Sequence, residues 1–257
     1  MIVRRSEAEL GKMHRANMLV VQVLDELSET LRPGMTTADL DRIAEKSIRE
    51  AGAEPAFKGY RGFPATLCVS INDEVVHGIP SPKRIIREGD LVSLDLGCVV
   101  EGFYGDGAVT VAVGEISDGL KKLIDVTETA LYKGIEAMKV GNRVSDIGHA
   151  VQSYVESQGF SVVRDFVGHG IGTALHEDPQ VPNYGDPGKG PRLLPGMALA
   201  IEPMVNVGAH FVKTLADNWT VVTMDGSLSA HFERSVAVTE EGPWVLSRPH
   251  PSGGNGA

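Results

Sequence analysis

Asp95 closes the apolar stretch Gly89-Asp-Leu-Val-Ser-Leu-Asp95, and Glu202 closes Gly196-Met-Ala-Leu-Ala-Ile-Glu202. A carboxylate at the head of such a run is a costly residue, because a buried charge must be paired, neutralised or bound to a metal. Two further acids, Asp106 and Glu233, each begin a stretch that ends in alternating strand-like residues, Asp106-Gly-Ala-Val-Thr-Val and Glu233-Arg-Ser-Val-Ala-Val. His169 sits in Gly168-His169-Gly-Ile-Gly, a setting that suggests a loop in which glycines let the backbone turn and leave the imidazole open to a ligand. Four carboxylates and one imidazole form a donor set for two divalent ions. Such oxygen-rich ligands favour Mn, Fe or Co over thiolate-bound structural zinc, with Zn still compatible. Two ions about 3.5 to 4 Å apart can acidify a water, polarise a carbonyl and stabilise a tetrahedral oxyanion. Hydrolysis of an amide needs those effects together with proton transfer, for which His77 and His176 are candidates. His14, His149, His210, His231 and His250 lack a comparable setting, apart from the proximity of His231 to Glu233.

The elements that must position these groups occur twice. Ser6 and Glu9 predict a capping box ahead of a long helix carrying Leu10, Met13, Val20, Leu24, Leu27 and Leu31. After Arg32-Pro33-Gly34, Thr37 is expected to cap a second helix with Leu40, Ile43, Ala44 and Ile48 on one face, stopped near Gly52. At an offset of 107 residues, Leu24, Gly34, Asp39, Leu40, Ile48 and Gly52 reappear as Leu131, Gly141, Asp146, Ile147, Val155 and Gly159. The same offset relates Asp95 to Glu202, and a further 20 residues in the second copy relate Asp106 to Glu233. A duplicated α+β domain is therefore expected, with repeats at about 6–113 and 114–240, curved sheet halves packed together and helices on the outer face. A pseudo-twofold axis would gather the four acids. One catalytic domain over 1–247 and a disordered tail over 248–257, rich in Pro and Gly, complete the expected organisation.

Composition narrows the class. The formal charge of -10 opposes nucleic-acid binding, although Lys83, Arg84 and Arg87 make a local basic cluster. No stretch approaches the roughly 18 apolar residues of a membrane span, and the first residues lack a secretory core, so the cytoplasm is expected. Cys68 and Cys98 are expected as reduced thiols, since two cysteines without C-x-x-C spacing make neither a disulfide framework nor a structural zinc site.

In order along the chain, His77-Gly-Ile-Pro, Ser93-Leu-Asp95-Leu-Gly, Gly105-Asp106, Gly168-His169-Gly-Ile-Gly, His176-Glu, Ile201-Glu202-Pro-Met and Phe232-Glu233 resemble the methionine aminopeptidases of the pita-bread metallopeptidases. The resemblance implies a hydrolase that removes initiator methionine before a small second residue. It implies that Asp106 and Glu233 bridge two metals, that Asp95 completes one site and that His169 with Glu202 completes the other. Glu202 would also carry protons, His176 would support the scissile carbonyl and His77 would contact the following amide. Phe57, Tyr60, Phe63, Cys68 and Trp219 match the family's methionine pocket, although aromatic and apolar residues more commonly serve packing alone. Gly107 and Leu175 depart from the usual pattern, where a small hydroxyl residue and a larger side chain are common. Only 31 residues separate Glu202 from Glu233, which resembles the type I enzymes, without the insertion of type II and without an N-terminal zinc-finger extension. The implied partners are nascent polypeptides with a free N-terminal methionine, which allows transient association with the ribosome, and the chain is expected to be a monomer. Two alternatives share the fold: an Xaa-Pro-specific metallopeptidase, whose relatives usually carry an N-terminal domain, and a non-catalytic peptide-binding protein.

Overall fold

The computed structural model describes residues 1–250. Its four α-helices are α1 (Glu7–Thr30), α2 (Thr37–Glu50), α3 (Asp118–Glu136) and α4 (Val144–Ser157). The predicted capping box at the start of α1 is present: Glu9 accepts from Ser6 N at 2.7 Å, and Ser6 Oγ accepts from Glu9 N. For α2 the cap is Thr36 rather than the expected Thr37. Asp39 lies three residues after Thr36 and accepts its N–H at 2.7 Å, whereas the Thr37 hydroxyl accepts from Ser81 N and ties the helix start to a distant loop.

A central nine-stranded antiparallel sheet runs in the order Glu54–Pro55, Leu91–Val100, Phe103–Ala112, Glu233–Thr239, Ala198–Ile201, Gly168–Gly170 and Glu177–Val181; Leu67–Ile71 adds to Leu91–Val100, and Gly242–Val245 to Glu233–Thr239. Strand alternation assigns its two faces. In Leu91–Val100, Leu94, Leu96 and Cys98 pack with Ala16, Val20 and Leu24 of α1. Across the sheet, Leu199, Ile201, Val236 and Val238 pack with Leu131 and Ile135 of α3 and Ile147 of α4. Burying both sets removes most of the helices' apolar stripes from water, at roughly 25 cal/mol per Å². The intervening residues, Asp95 among them, face the opposite side of the curved sheet.

The duplication is visible in backbone detail. Gly34 and Gly141 both have strongly positive φ (91° and 96°), as do Gly89 and Gly196 (85° and 88°), so each copy ends and restarts its elements in conformations that favour glycine. Isolated bridges Thr36 to Ile85 and Arg143 to Arg192 keep the same offset. Between Glu202 and Glu233, the strands Met204–Asn206 and Ser229–His231 join Ser161–Val162 in one small sheet, and Val212–Thr214 and Val221–Thr223 join Glu74–Val76 in another. Of the expected tail, Arg248 donates to Tyr132 Oη at 2.6 Å and His250 packs on Trp244, while 251–257 lie outside the described residues.

Candidate metal centre and methionine pocket

Register places Asp95, Asp106, Glu233 and His169 on one face of the main sheet, and Glu202 stands just past the end of Ala198–Ile201 beside them. Asp95 pairs with Ala108, which pairs in turn with Glu233. Asp106 lies two residues from Ala108 and so shares its face. His169 pairs with Ala200, and Ala200 with Ser235, two residues beyond Glu233. Glu202 follows Ala200 by two. Asp106, His169 and Glu233 offer ligand atoms that all lie within 4.8 Å of one another. His169 Nε2 is 3.5 Å from Glu202 Oε1 and 3.8 Å from Asp106 Oδ2.

Two details differ from the sequence reading. Asp95 does not end its strand but lies in its middle, because Leu91–Val100 continues as one arm of a long hairpin with Phe103–Ala112. His169 is buried within the short strand Gly168–Gly170 rather than presented by an open loop. Its neighbouring glycines serve close packing: a Cβ on Gly168 would overlap Ala200 O, and one on Gly170 would overlap Asp178 O.

The electrostatics of this face call for a cation. Burial pushes the Asp95 carboxyl up to about 7, and burial with repulsion from neighbouring acids raises Asp106, Glu202 and Glu233 well above the ordinary carboxylate range. Asp95 Oδ1, Asp106 Oδ1 and Glu233 Oε1 are buried without a hydrogen-bond partner. Anionic oxygens of this kind fit divalent ions, whose charge would invert the pKa pattern. Burial lowers His169 to about 4, so its imidazole is neutral near pH 7 and Nε2 can ligate if the proton resides on Nδ1, which contacts Gly170 O at 2.9 Å.

A cavity of about 360 Å³ opens onto these donors, and it brings together Phe57, Tyr60, Phe63, Cys68, His77, His176 and Trp219, the residues that the family resemblance implied for substrate contact. Phe63 and Trp219 meet edge to face at 5.1 Å. Phe57 reaches the wall because Gly97 leaves room for its ring; an added Cβ would stand 2.7 Å from Phe57 Cε1. His77 adopts a positive φ of 61°, ahead of Gly78, whose Cβ would overlap Val69 O. That uncommon backbone directs its ring edge-on to Phe166 and Trp219. Burial lowers His77 to about 4, while burial and then the Arg61 charge lower His176, leaving both neutral donors or acceptors near pH 7. Cys68 and Cys98 are free buried thiols, and burial raises both.

Arg61, Asp165, Phe166, Val167 and Gln180 also line the cavity, and sequence reasoning assigned none of them to it. Phe166 stands three residues before His169, the one signal that could have flagged it. Asn17 was also missed: buried inside α1, it accepts the N–H of Asp106 at 3.3 Å, and Gly105 lets α1 approach, since a Cβ there would lie 2.6 Å from the Ala16 carbonyl carbon. The two departures from the family pattern separate spatially. Leu175 borders the cavity, whereas Gly107 faces Val20 and Leu24 of α1. His231 is buried and lowered to about 3 by burial and the His77 charge. Arg84 of the basic cluster pairs with buried Glu74.

The model of metallopeptidase family M24 matches residues 11–240, and the chain belongs to that family. It is 55% identical over 248 residues to methionine aminopeptidase 1 of Bacillus subtilis and 54% identical over 247 residues to the methionine aminopeptidase of Clostridium acetobutylicum. These alignments cover 96% of this chain and 100% and 99% of those relatives. The crystal structure of methionine aminopeptidase from Thermotoga maritima superposes with a TM-score of 0.95 at 46% identity, covering 96% of this chain and 100% of that one. An Xaa-Pro dipeptidase from Bacillus anthracis shares the fold with a TM-score of 0.76 at 24% identity, but this chain covers 62% of it.

Proposed function

We propose that the chain is a methionine aminopeptidase, a metal-dependent hydrolase that removes the N-terminal methionine of polypeptides and prefers a small second residue. The observation that carries this reading is the convergence of Asp95, Asp106, His169, Glu202 and Glu233 on one sheet face at the end of an aromatic cavity. Asp106 and Glu233 would bridge two divalent metals, Asp95 would complete one site, and His169 and Glu202 the other. Bound there, Co, Mn, Fe or Zn would lower the pKa of a water and polarise the scissile carbonyl.

The side chains supply the rest. Phe57, Tyr60, Phe63, Cys68 and Trp219 enclose the methionine side chain and exclude water, with the free amine toward Asp95. Glu202 takes a proton from the attacking water and passes it to the leaving amine. His176, neutral in its buried setting, donates to the carbonyl oxygen as it becomes negative, and His77 contacts the amide nitrogen of the following residue. Residues 1–247 act as one catalytic unit, working as a monomer in the cytoplasm on nascent chains, with transient association at the ribosome. Among the described residues, no helix is long and apolar enough to cross a membrane. In a bacterial cell, a formyl group must leave first, because the substrate amine must be free.

The direct test is methionine release from Met-Ala-Ser by metal-stripped protein, with and without Mn(II) or Co(II), beside Met-Lys and Xaa-Pro controls. Metal-dependent cleavage of Met-Ala-Ser alone is expected. Preferential Xaa-Pro cleavage would make the chain a proline-specific peptidase, and no cleavage by folded, metal-loaded protein would make it a binding protein.

A further inference from the structure

Tyr60 holds two positions at once. Its ring walls the cavity beside Phe57, Phe63 and Trp219, and its hydroxyl lies 2.8 Å from His176 Nδ1, with the two rings stacked at 5.3 Å. The backbone gives it little freedom. Gly59, Arg61 and Gly62 all have positive φ, and Gly59 N donates to Phe63 O at 2.8 Å, Gly62 N to Gly59 O at 3.1 Å and Phe63 N to Tyr60 O at 2.9 Å.

A neutral imidazole carries its proton on either nitrogen, and the partner of one nitrogen decides which. A phenol O–H donating to Nδ1 leaves the N–H on Nε2, the form able to donate to a carbonyl oxygen. The reverse arrangement would offer that oxygen a lone pair. We propose that Tyr60 is a positioning residue for His176: its hydroxyl fixes the Nε2–H tautomer, and because its ring also walls the cavity, filling of the cavity by the first side chain is coupled to the hydrogen bond on the scissile carbonyl. The proposal rests on the role assigned to His176 above. Its consequence is that a shorter first side chain loses turnover as well as affinity, since packing against Tyr60 is expressed at the reacting centre.

The test uses full-length, metal-loaded protein and the variants Tyr60→Phe, His176→Asn and their combination. Tyr60→Phe removes a single oxygen from a half-buried residue and leaves the ring in place. It should lower kcat for Met-Ala-Ser roughly 3- to 10-fold, the effect of one neutral hydrogen bond, with metal content unaltered and KM within about twofold. Affinity for a methionine-derived phosphonate, which mimics the tetrahedral oxyanion, should fall by the same factor, and affinity for free methionine should not. The kcat advantage of Met-Ala-Ser over norvaline-Ala-Ser should shrink, and the double variant should be no slower than His176→Asn alone. Full turnover by His176→Asn would remove the role of His176 and this proposal with it. A slow His176→Asn beside an unimpaired Tyr60→Phe, or additive losses in the double variant, would overturn the coupling alone and leave Tyr60 as a wall of the pocket.

Discussion

The two copies of the repeat share a frame and differ in what they hang on it. In the first, Leu91–Val100 and Phe103–Ala112 form a hairpin paired over ten residues, which holds Asp95 and Asp106 on neighbouring strands with their short side chains directed at the site. In the second, Ala198–Ile201 and Gly168–Gly170 are short, the donors are the longer Glu202, Glu233 and His169, and the inserted segment carries Trp219 over the pocket. Glu202 follows a strand of four residues and His169 lies in one of three, whereas Glu233 begins a strand of seven. Helix starts differ as well. The Asp39 carboxylate caps Thr36 N and the Thr36 hydroxyl returns a bond to Asp39 N, whereas Asp146 accepts from Arg143 N at 2.7 Å and the arginine, having no acceptor, donates instead to Gly190 O.

Removing one acid of the proposed metal site from each copy breaks the comparison most severely. Asp106→Asn and Glu233→Gln should each lower kcat/KM beyond the roughly 10- to 100-fold typical of residues that only orient ligands, with equal loss of bound metal by elemental analysis. Unequal losses would show that one copy holds the ions by itself. Next in size are the close approaches: Gly105→Ala against α1 and Gly168→Ala against Ala200 should each destabilise the fold by about 1 to 3 kcal/mol in chemical denaturation. If only the second is costly, the longer hairpin of the first copy absorbs strain.

A pH series sharpens the account of the shared face. The raised carboxyls bind protons in the folded chain that the unfolded chain has released, so the stability they contribute is full below their ordinary range and is lost as pH rises through their folded values, about 7 for Asp95. The melting temperature of metal-stripped protein should therefore fall between about pH 4 and 7 relative to the metal-loaded form, whose ions replace those protons. A constant difference across that range would refute the assignment. The smallest effects lie at the caps. Thr36→Ala should cost about 1 kcal/mol, and Arg143→Thr should gain a few tenths or more by completing the second box, both read from thermal melts.

Much of this was legible because duplication prints the same constraint twice. Asp39 with Asp146, or Asp95 with Glu202, stand out as pairs where either alone would be ambiguous. The donor set and the first helix with its cap follow from side-chain chemistry and period, whereas the pocket residues were implied only by the family resemblance. What escaped detection depends on contacts between distant segments. Thr37 looks as good a cap as Thr36 until Ser81 is seen to use its hydroxyl. The glycines around His169 suggest a loop because sequence does not show that two carbonyls crowd them. Arg61 and Asn17 reach the site only through the folding of their loop and helix, and nothing in their local sequence says so.

One consequence concerns time rather than geometry. Phe103–Ala112 meets Glu233–Thr239 through the registered pairs Ala108 with Glu233 and Gly107 with Arg234, and the donors sit astride that seam. As the chain is synthesised from its N-terminus, the portion through the first copy carries Asp95 and Asp106 alone. The remaining donors of the proposed site arrive in the order His169, Glu202 and Glu233, and the last begins the strand that joins the two copies. The proposed metal site therefore lacks its full donor set until the strand Glu233–Thr239 has been made.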